Sequence, residues 1–375
     1  MGDSLITVVP SGRRLDPSLL EAEGGFLWWY LDLVDEQGDG LVLIWSFGLP
    51  FLPGYADAAR RGCAPAAGAR PSLNLSVYRQ RALDFYLLRE FDRERVAWHP
   101  DRDRWKFGET EIRRELDDDR VQLHVELDCA VTGCAEPITG EIHFEGARRK
   151  TSGEEEAAER GRLTHDWSPQ SGPASARARL RQGGRGWDLS GRAYHDRNGG
   201  SRPLHDLGID VWIWGRAPLP DRELIYYLLW GDGGRAPVCV GMTVDEDGTT
   251  DVIDDLDVVR RGRRRNLGGL TWWEELELSR GNTPWARVRH RTAVDSGPFY
   301  MRYLTEVSTS GAPPVVGIGE LCEPDRVDLK RHRPLVRMRV DRAGDGNSMW
   351  LPLFSGPREG RLGRLVSNWL SGGRR

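Results

Sequence analysis

The sequence is poor in cysteine and histidine and has no long apolar run, and each shortage removes a class of function. Its five cysteines (Cys63, Cys129, Cys134, Cys239, Cys322) are scattered, odd in number and free of any C-x-x-C pair. They signal neither a disulfide framework nor a zinc site, so a reducing cytoplasm is the expected compartment. The eight histidines stand singly, and no metal is expected. The N-terminus lacks the basic start and apolar core of a secretory signal, and no stretch approaches the ~20 apolar residues that a membrane span needs. Neither charge sign dominates: 53 Lys and Arg against 57 Asp and Glu leave a formal charge of −4. Arginine greatly exceeds lysine but is interspersed with acids, and the basic run Arg260 to Arg265 is short enough to read as a solvated turn. No nucleic-acid partner is expected. A G-x-S-x-G elbow, a P-loop, a G-x-G-x-x-G after a strand and an H-E-x-x-H are all missing, so nothing signals a nucleophilic hydrolase, a nucleotide cofactor or a zinc protease.

Tryptophan is abundant instead. Fifteen Trp outnumber the nine Tyr and the nine Phe. The 45 Gly and 22 Pro fall between short apolar or alternating runs, as turns punctuate strands. Residues 26–34 (FLWWYLDLV) and 41–47 (LVLIWSF) read as a hairpin, and a succession of further short strands follows to residue 322. Helical periodicity is confined to 54–61 and 362–370, too little for crossover helices, so the fold class is mainly β. The charged, small-residue segment 146–161 (GARRKTSGEEEAAERG) reads as a linker. It divides the chain into two antiparallel β-sandwich or barrel units, 1–160 and 161–375, the second closing on a short helix.

Strand parity selects candidate site residues. In 187–198 (WDLSGRAYHDRN), Tyr194 and Asp196 share a face while His195 points away. If that face is buried, desolvation keeps the carboxyl protonated near neutrality; the plainer alternative is that Asp196 opens the turn after it. In 209–216 (IDVWIWGR), Asp210, Trp212 and Trp214 share a face and form an indole wall that either stabilises a cation or fills a core. Trp28, Tyr30 and Asp32 share one face of 26–34. Its other face is also apolar, which suggests a sheet between a core and a ligand cavity or another domain. Arg192, Arg197 and Arg216 are expected at a solvated rim.

Several motifs together carry a family resemblance. The segments GRAYHDRNGGSRPL (191–204) and VWIWGR (211–216) resemble the signature of the carotenoid 1,2-hydratase (hydroxyneurosporene synthase) family. WWYLD (28–32), FLPGYADAARR (51–61), NLSVY (74–78), HDWSP (165–169), GPFYMR (297–302) and the segment 319–339 are similar to further elements of that family, in the right order over residues 24–340. Gly319, Ala193 and Gly200 depart from its pattern. The resemblance implies two lipocalin-like β units enclosing a ligand tunnel and a cofactor-independent addition of water to the terminal double bond of an acyclic isoprenoid. It also implies a superfamily that includes Diels-Alderases.

On that reading Asp196 is the catalytic acid, oriented by Tyr194 and Asn198. Trp28, Tyr30, Trp212, Trp214, Trp187 and Tyr226 bind the substrate, and the first four stabilise its cation, which water or an internal double bond captures, giving hydration or cyclisation. Two alternatives are a pericyclase that only orients a polyene and a non-catalytic lipid carrier. The amphipathic segment 362–370 suggests contact with a membrane holding the lipophilic substrate, or docking on the protein's own barrel. Nothing in the sequence specifies an oligomeric state.

Overall fold

A computed structural model describes residues 5–12, 17–150, 165–231, 236–342 and 346–370, with residues 205 and 367–370 described by backbone alone. Strands hold 58% of the chain, in two curled half-barrel sheets, and the helices are few and short. The strands of the first sheet longer than two residues, in chain order, are β1 (Phe26–Val34), β2 (Gly40–Phe47), β3 (Pro71–Arg79), β4 (Ala82–Glu90), β5 (Val96–His99), β6 (Arg104–Phe107), β7 (Thr110–Leu116), β8 (Arg120–Cys129), β9 (Ile138–Arg148), β10 (Asp166–Pro169), β11 (Ser171–Gln182) and β12 (Arg185–Gly200). They lie in the order β4-β3-β2-β1-β12-β11-β9-β8-β7-β6-β5, with β10 on the end of β12.

The second sheet contains β13 (Ile209–Pro218), β14 (Arg222–Gly231), β15 (Val238–Asp245), β16 (Thr250–Ile253), β17 (Asp257–Arg265), β18 (Thr271–Arg280), β19 (Thr283–Ser296), β20 (Tyr300–Ser308) and β21 (Val315–Cys322). Their order is β16-β15-β14-β13-β21-β20-β19-β18-β17. Among the described residues there are also three short α-helices, α1 (Tyr55–Arg60), α2 (Arg333–Arg337) and α3 (Arg361–Leu370), with several single-turn 3-10 helices and two-residue strands.

The chain changes sheets in the short 3-10 turn Leu204–Leu207 between β12 and β13. The boundary expected at residue 160 therefore falls inside the first sheet, because β10, β11 and β12 follow it and still pair there. Composition pointed to 146–161 as a linker, but residues 146–148 belong to β9 and residues 151–161 lie outside the described set. Near its end the chain returns to the first sheet, where Asp341 and Arg342 pair with β4. The basic run Arg260 to Arg265 is strand, not turn. It stays exposed, with Arg261 and Arg264 paired to Glu277 and Glu274 and Arg260 over the Trp230 and Trp273 rings.

Each sheet has its own core, and a third apolar layer lies between them. Along β1, Leu27, Trp29, Leu31 and Leu33 join the first sheet's core, while Phe26, Trp28, Tyr30 and Val34 join the layer between the sheets. All nine residues are buried, as the doubly apolar sequence anticipates. Strand β12 changes character along its length. Its first half alternates buried and exposed residues, and from Ala193 to Gly200 both faces are covered. β1 flanks that buried half on one side, β10 pairs with its end, and Tyr194 joins the layer facing the second sheet.

Candidate active site

Register brings the chemistry together. On the face of the first sheet that looks toward the second, Tyr194, Asp196 and Asn198 of β12 stand opposite Asp32, Tyr30 and Trp28 of β1. From the second sheet, Trp214 lies between Tyr227 of β14 and Glu320 of β21, and Glu320 pairs in turn with Arg302 of β20. A cavity of about 170 Å³ lies between these faces, lined among others by Trp28, Tyr30, Asp196, Asn198, Trp212 and Trp214. Gly48–Leu52, Phe299, Val336 and Val340 complete its wall.

Asp196 is 3% exposed and faces this cavity. Its Oδ2 accepts hydrogen bonds from the Trp167 indole (2.9 Å) and the Tyr194 hydroxyl (3.1 Å), and its Oδ1 accepts one from Asn198 Nδ2 (3.0 Å). Such donors favour the carboxylate, but no cation pairs with it among the described residues. Burial outweighs them and pushes its pKa up to about 8. Asn198 is itself oriented by His165: Asn198 Oδ1 can only accept, so His165 Nε2 donates to it at 3.0 Å. Burial lowers the His165 pKa to about 4, so the ring is neutral and fixed as the Nε2–H tautomer. Tyr194 and Trp167 stand behind Asp196 without lining the cavity and position the acid.

Aromatic faces surround the carboxyl group. Trp212 stacks between Trp28 (6.1 Å, 18°) and Tyr227 (5.5 Å, 9°). Trp214 meets Tyr30 edge-on at 5.1 Å and Tyr194 at 5.5 Å. Phe51 and Phe299 stack at 5.8 Å farther along the wall.

Two of the expected substrate contacts lie elsewhere. Trp187 occupies an odd position on β12, so it points away from Asp196 into the first sheet's core, where its indole donates to Asp84 Oδ2 (2.8 Å) and packs edge-on against Phe85. Tyr226 points into the second sheet's core over Gly215, where a Cβ would come within 2.1 Å of its hydroxyl. Its neighbour Tyr227 lines the cavity in its place. Asp210 also leaves the expected indole face, because a register irregularity between Ile209 and Val211 leaves it exposed.

Arg216 is not at a solvated rim. It is fully buried, contacts Asp32 of β1 through both Nη2 and Nε, and reaches Glu223 of β14 at 3.3 Å. This cluster ties the two sheets together beside the cavity. Burial raises the pKa of Asp32 and brings Glu223 up to about 7, in each case against the pull of Arg216.

Glu320 and Arg302 form a second polar pole in the cavity, with Arg302 Nε and Nη2 each 2.8 Å from Glu320 Oε1. Reasoning from parity and composition missed this pair, and also missed Trp167, His165 and Tyr227. Four of the five fall in segments that carry the family resemblance (HDWSP, GPFYMR and the start of 319–339), where the residues were visible but no role was attached to them.

Fold and cavity define the class: a two-sheet, lipocalin-like β-protein enclosing an aromatic cavity around a buried carboxyl group. The family model described as "Carotenoid hydratase CrtC" matches residues 43–348, and the chain belongs to the carotenoid hydratase family. It is an enzyme of the lyase class. A hydroxyneurosporene dehydrogenase of Chlorobaculum tepidum is 26% identical over 88% of this chain and 91% of its own length. An acyclic carotenoid 1,2-hydratase of Thiocapsa roseopersicina is 30% identical over 80% of this chain and 68% of its own. The solved structure of a Nitrosomonas europaea protein, described as an AttH candidate, superposes with a TM-score of 0.58 at 15% identity, covering 83% of this chain and 98% of that one, a likeness of fold.

Proposed function

We propose that this enzyme adds water to a terminal carbon–carbon double bond of an acyclic isoprenoid of the carotenoid class, with Asp196 as general acid and without a cofactor. The observation that carries this reading is a buried carboxyl group that faces an aromatic cavity and stays protonated up to about pH 8. Protonating an isolated alkene requires a neutral acid, and an ionised Asp would have no proton to give.

Oδ2 is saturated by Trp167 and Tyr194, so the proton resides on Oδ1, which has a single donor. Transfer to the less substituted alkene carbon leaves a tertiary cation. The faces of Trp28, Trp212, Trp214 and Tyr227 stabilise it by about 0.5–2 kcal/mol per ring when desolvated. Water then captures the cation. A cavity of about 170 Å³ lies below the ~300–1,000 Å³ of ordinary ligand pockets, which suits one chain end entering while the rest of the polyene stays outside.

Turnover in deuterium oxide tests the reaction type. Hydration or protonation-started cyclisation places one deuteron on carbon, whereas a cycloaddition places none. Asp196→Asn is expected to bind substrate and to lose both turnover and deuterium uptake; retained turnover rejects Asp196 as the acid. Dialysed enzyme in the presence of a chelator is expected to keep full activity.

A further inference from the structure

Hydration needs a second group besides the acid. The water that attacks the cation must be held in an apolar chamber, and it must lose a proton once the C–O bond has formed. Apart from Asp196 and its neighbour Asn198, the cavity has a separate polar cluster on the second sheet's side. Glu320 and Arg302 are nearly buried, and the guanidinium spends both contacts on Oε1, so Oε2 is not engaged by it. Arg302 is anchored through Nη1 to the Tyr78 hydroxyl at 2.7 Å.

Four phenols line the same cavity, Tyr30, Tyr86, Tyr227 and Tyr300; of these, the buried Tyr300 hydroxyl lies beside Glu320 and the buried Tyr30 hydroxyl beside Asp32. The Tyr30 ring is 4% exposed. Burial above all raises the pKa of both phenols, with the charge of Asp32 and then Glu320 adding to it at Tyr30 and that of Glu320 at Tyr300, so both stay neutral O–H groups. A trapped water needs two to four polar partners. The Glu320 carboxylate oxygen and these two phenol hydroxyls supply that set, in a lining that is mostly aromatic and aliphatic and also carries a second ion pair, Arg339 with Asp295.

We infer that Glu320, held by Arg302, seats the attacking water together with the Tyr30 and Tyr300 hydroxyls and accepts its proton. The inference rests on the proposed hydration and divides the work between two carboxyl groups in contrasting surroundings: Asp196 without a cation partner gives a proton, and Glu320 paired to a guanidinium takes one. The balance closes. Asp196 forms the new C–H bond as the π bond is lost, a lone pair of water forms the C–O bond, and the oxonium proton passes to Glu320. Exchange with water returns that proton to Asp196 before the next turnover.

Glu320→Gln keeps the shape and one acceptor oxygen but removes the base. Alcohol formation is expected to fall about 10²-fold or more, while protonation at carbon continues. In deuterium oxide the uncaptured cation gives a proton back to Asp196, so the recovered alkene should gain deuterium faster than alcohol appears. Glu320→Asp should restore part of the hydration, and Tyr30→Phe and Tyr300→Phe should shift the same partition in the direction of Glu320→Gln. Quenching of protein fluorescence by bound polyene reports whether each variant is folded and still binds. A folded, binding Glu320→Gln variant with the wild-type ratio of alcohol to deuterated alkene overturns the assignment of Glu320. Deuterium uptake that survives Asp196→Asn would instead overturn the acid reading on which it rests.

Discussion

Replacing Trp167 by Phe removes one N–H donor from Asp196 Oδ2 and nothing else that touches the substrate, so it isolates the electrostatics of the acid. The indole nitrogen lies 2.9 Å from Oδ2 and stabilises only the ionised form. Burial raises the carboxyl from 3.8 to about 8 against that pull. A hydrogen bond to a charged acceptor is worth about 1.5–3 kcal/mol, and one pKa unit corresponds to about 1.4 kcal/mol. Losing the donor should therefore raise the acid by roughly one to two units, so the alkaline limb of kcat/KM moves from near pH 8 to between about 9 and 10. The assay is the initial rate of hydration of an acyclic carotene in detergent, measured from pH 6 to pH 10.5. Tyr194→Phe should shift the limb the same way, because its hydroxyl donates to the same oxygen at 3.1 Å. An alkaline limb that stays in place or moves to lower pH in Trp167→Phe would falsify the claim that an Asp196 held neutral by burial limits the rate.

The remaining predictions concern stability and the walls of the cavity. The native state holds a proton on Asp196 up to about pH 8, whereas the unfolded chain releases it near 3.8, so stability falls as pH rises across that window. Asp196→Asn removes the penalty: its melting temperature should exceed the wild type's by a margin that is absent near pH 4 and largest above pH 8, where it is worth on the order of several kcal/mol. Arg216→Met leaves Asp32 and Glu223 buried without their counter-charge and should cost about 3–5 kcal/mol in denaturant titration, much of it recovered when both acids are also neutralised. Trp187→Phe should lower stability yet leave KM and kcat unchanged, whereas Trp214→Leu should lower kcat by roughly 2- to 30-fold through the lost ring face; equal kinetic effects of the two would contradict their placement on opposite sides of the first sheet.

Parity was the part of the site most open to reading from sequence. The two-residue repeat puts Tyr194, Asp196 and Asn198 on one face and His195 on the other, and the structure places them so, with His195 stacked on Trp45 inside the first core. Parity within one strand does not say which face meets the cavity, and this is how Tyr226 was misplaced, whereas placing Trp187 at the substrate goes against the parity of the strand it shares with Asp196. Trp187 has the parity opposite to Asp196, and Tyr226 is one residue out of phase with Tyr227. Arg216 was misjudged for a related reason. Its partners Asp32 and Glu223 come from β1 and β14, and only the packing of one sheet on the other makes burying a guanidinium there tolerable. The sheet boundary was hidden because compositional breaks mark exposed loops, whereas the change of sheets occurs in the compact turn Leu204–Leu207, whose flanking leucines are buried.

The cavity lies between two sheets that each keep a core of their own, and this arrangement bears on how such an enzyme can diverge. Trp212, Phe51 or Phe299 can be exchanged for side chains of other sizes without emptying either core, because these residues belong to the layer between the sheets. The reacting chamber is thus free to drift toward longer, shorter or more branched chain ends at small cost to folding. Strand β1 is the exception. Its odd residues hold up one core while Trp28 and Tyr30, on the opposite face, line the cavity, so this strand is where selection for a new ligand would meet the greatest resistance.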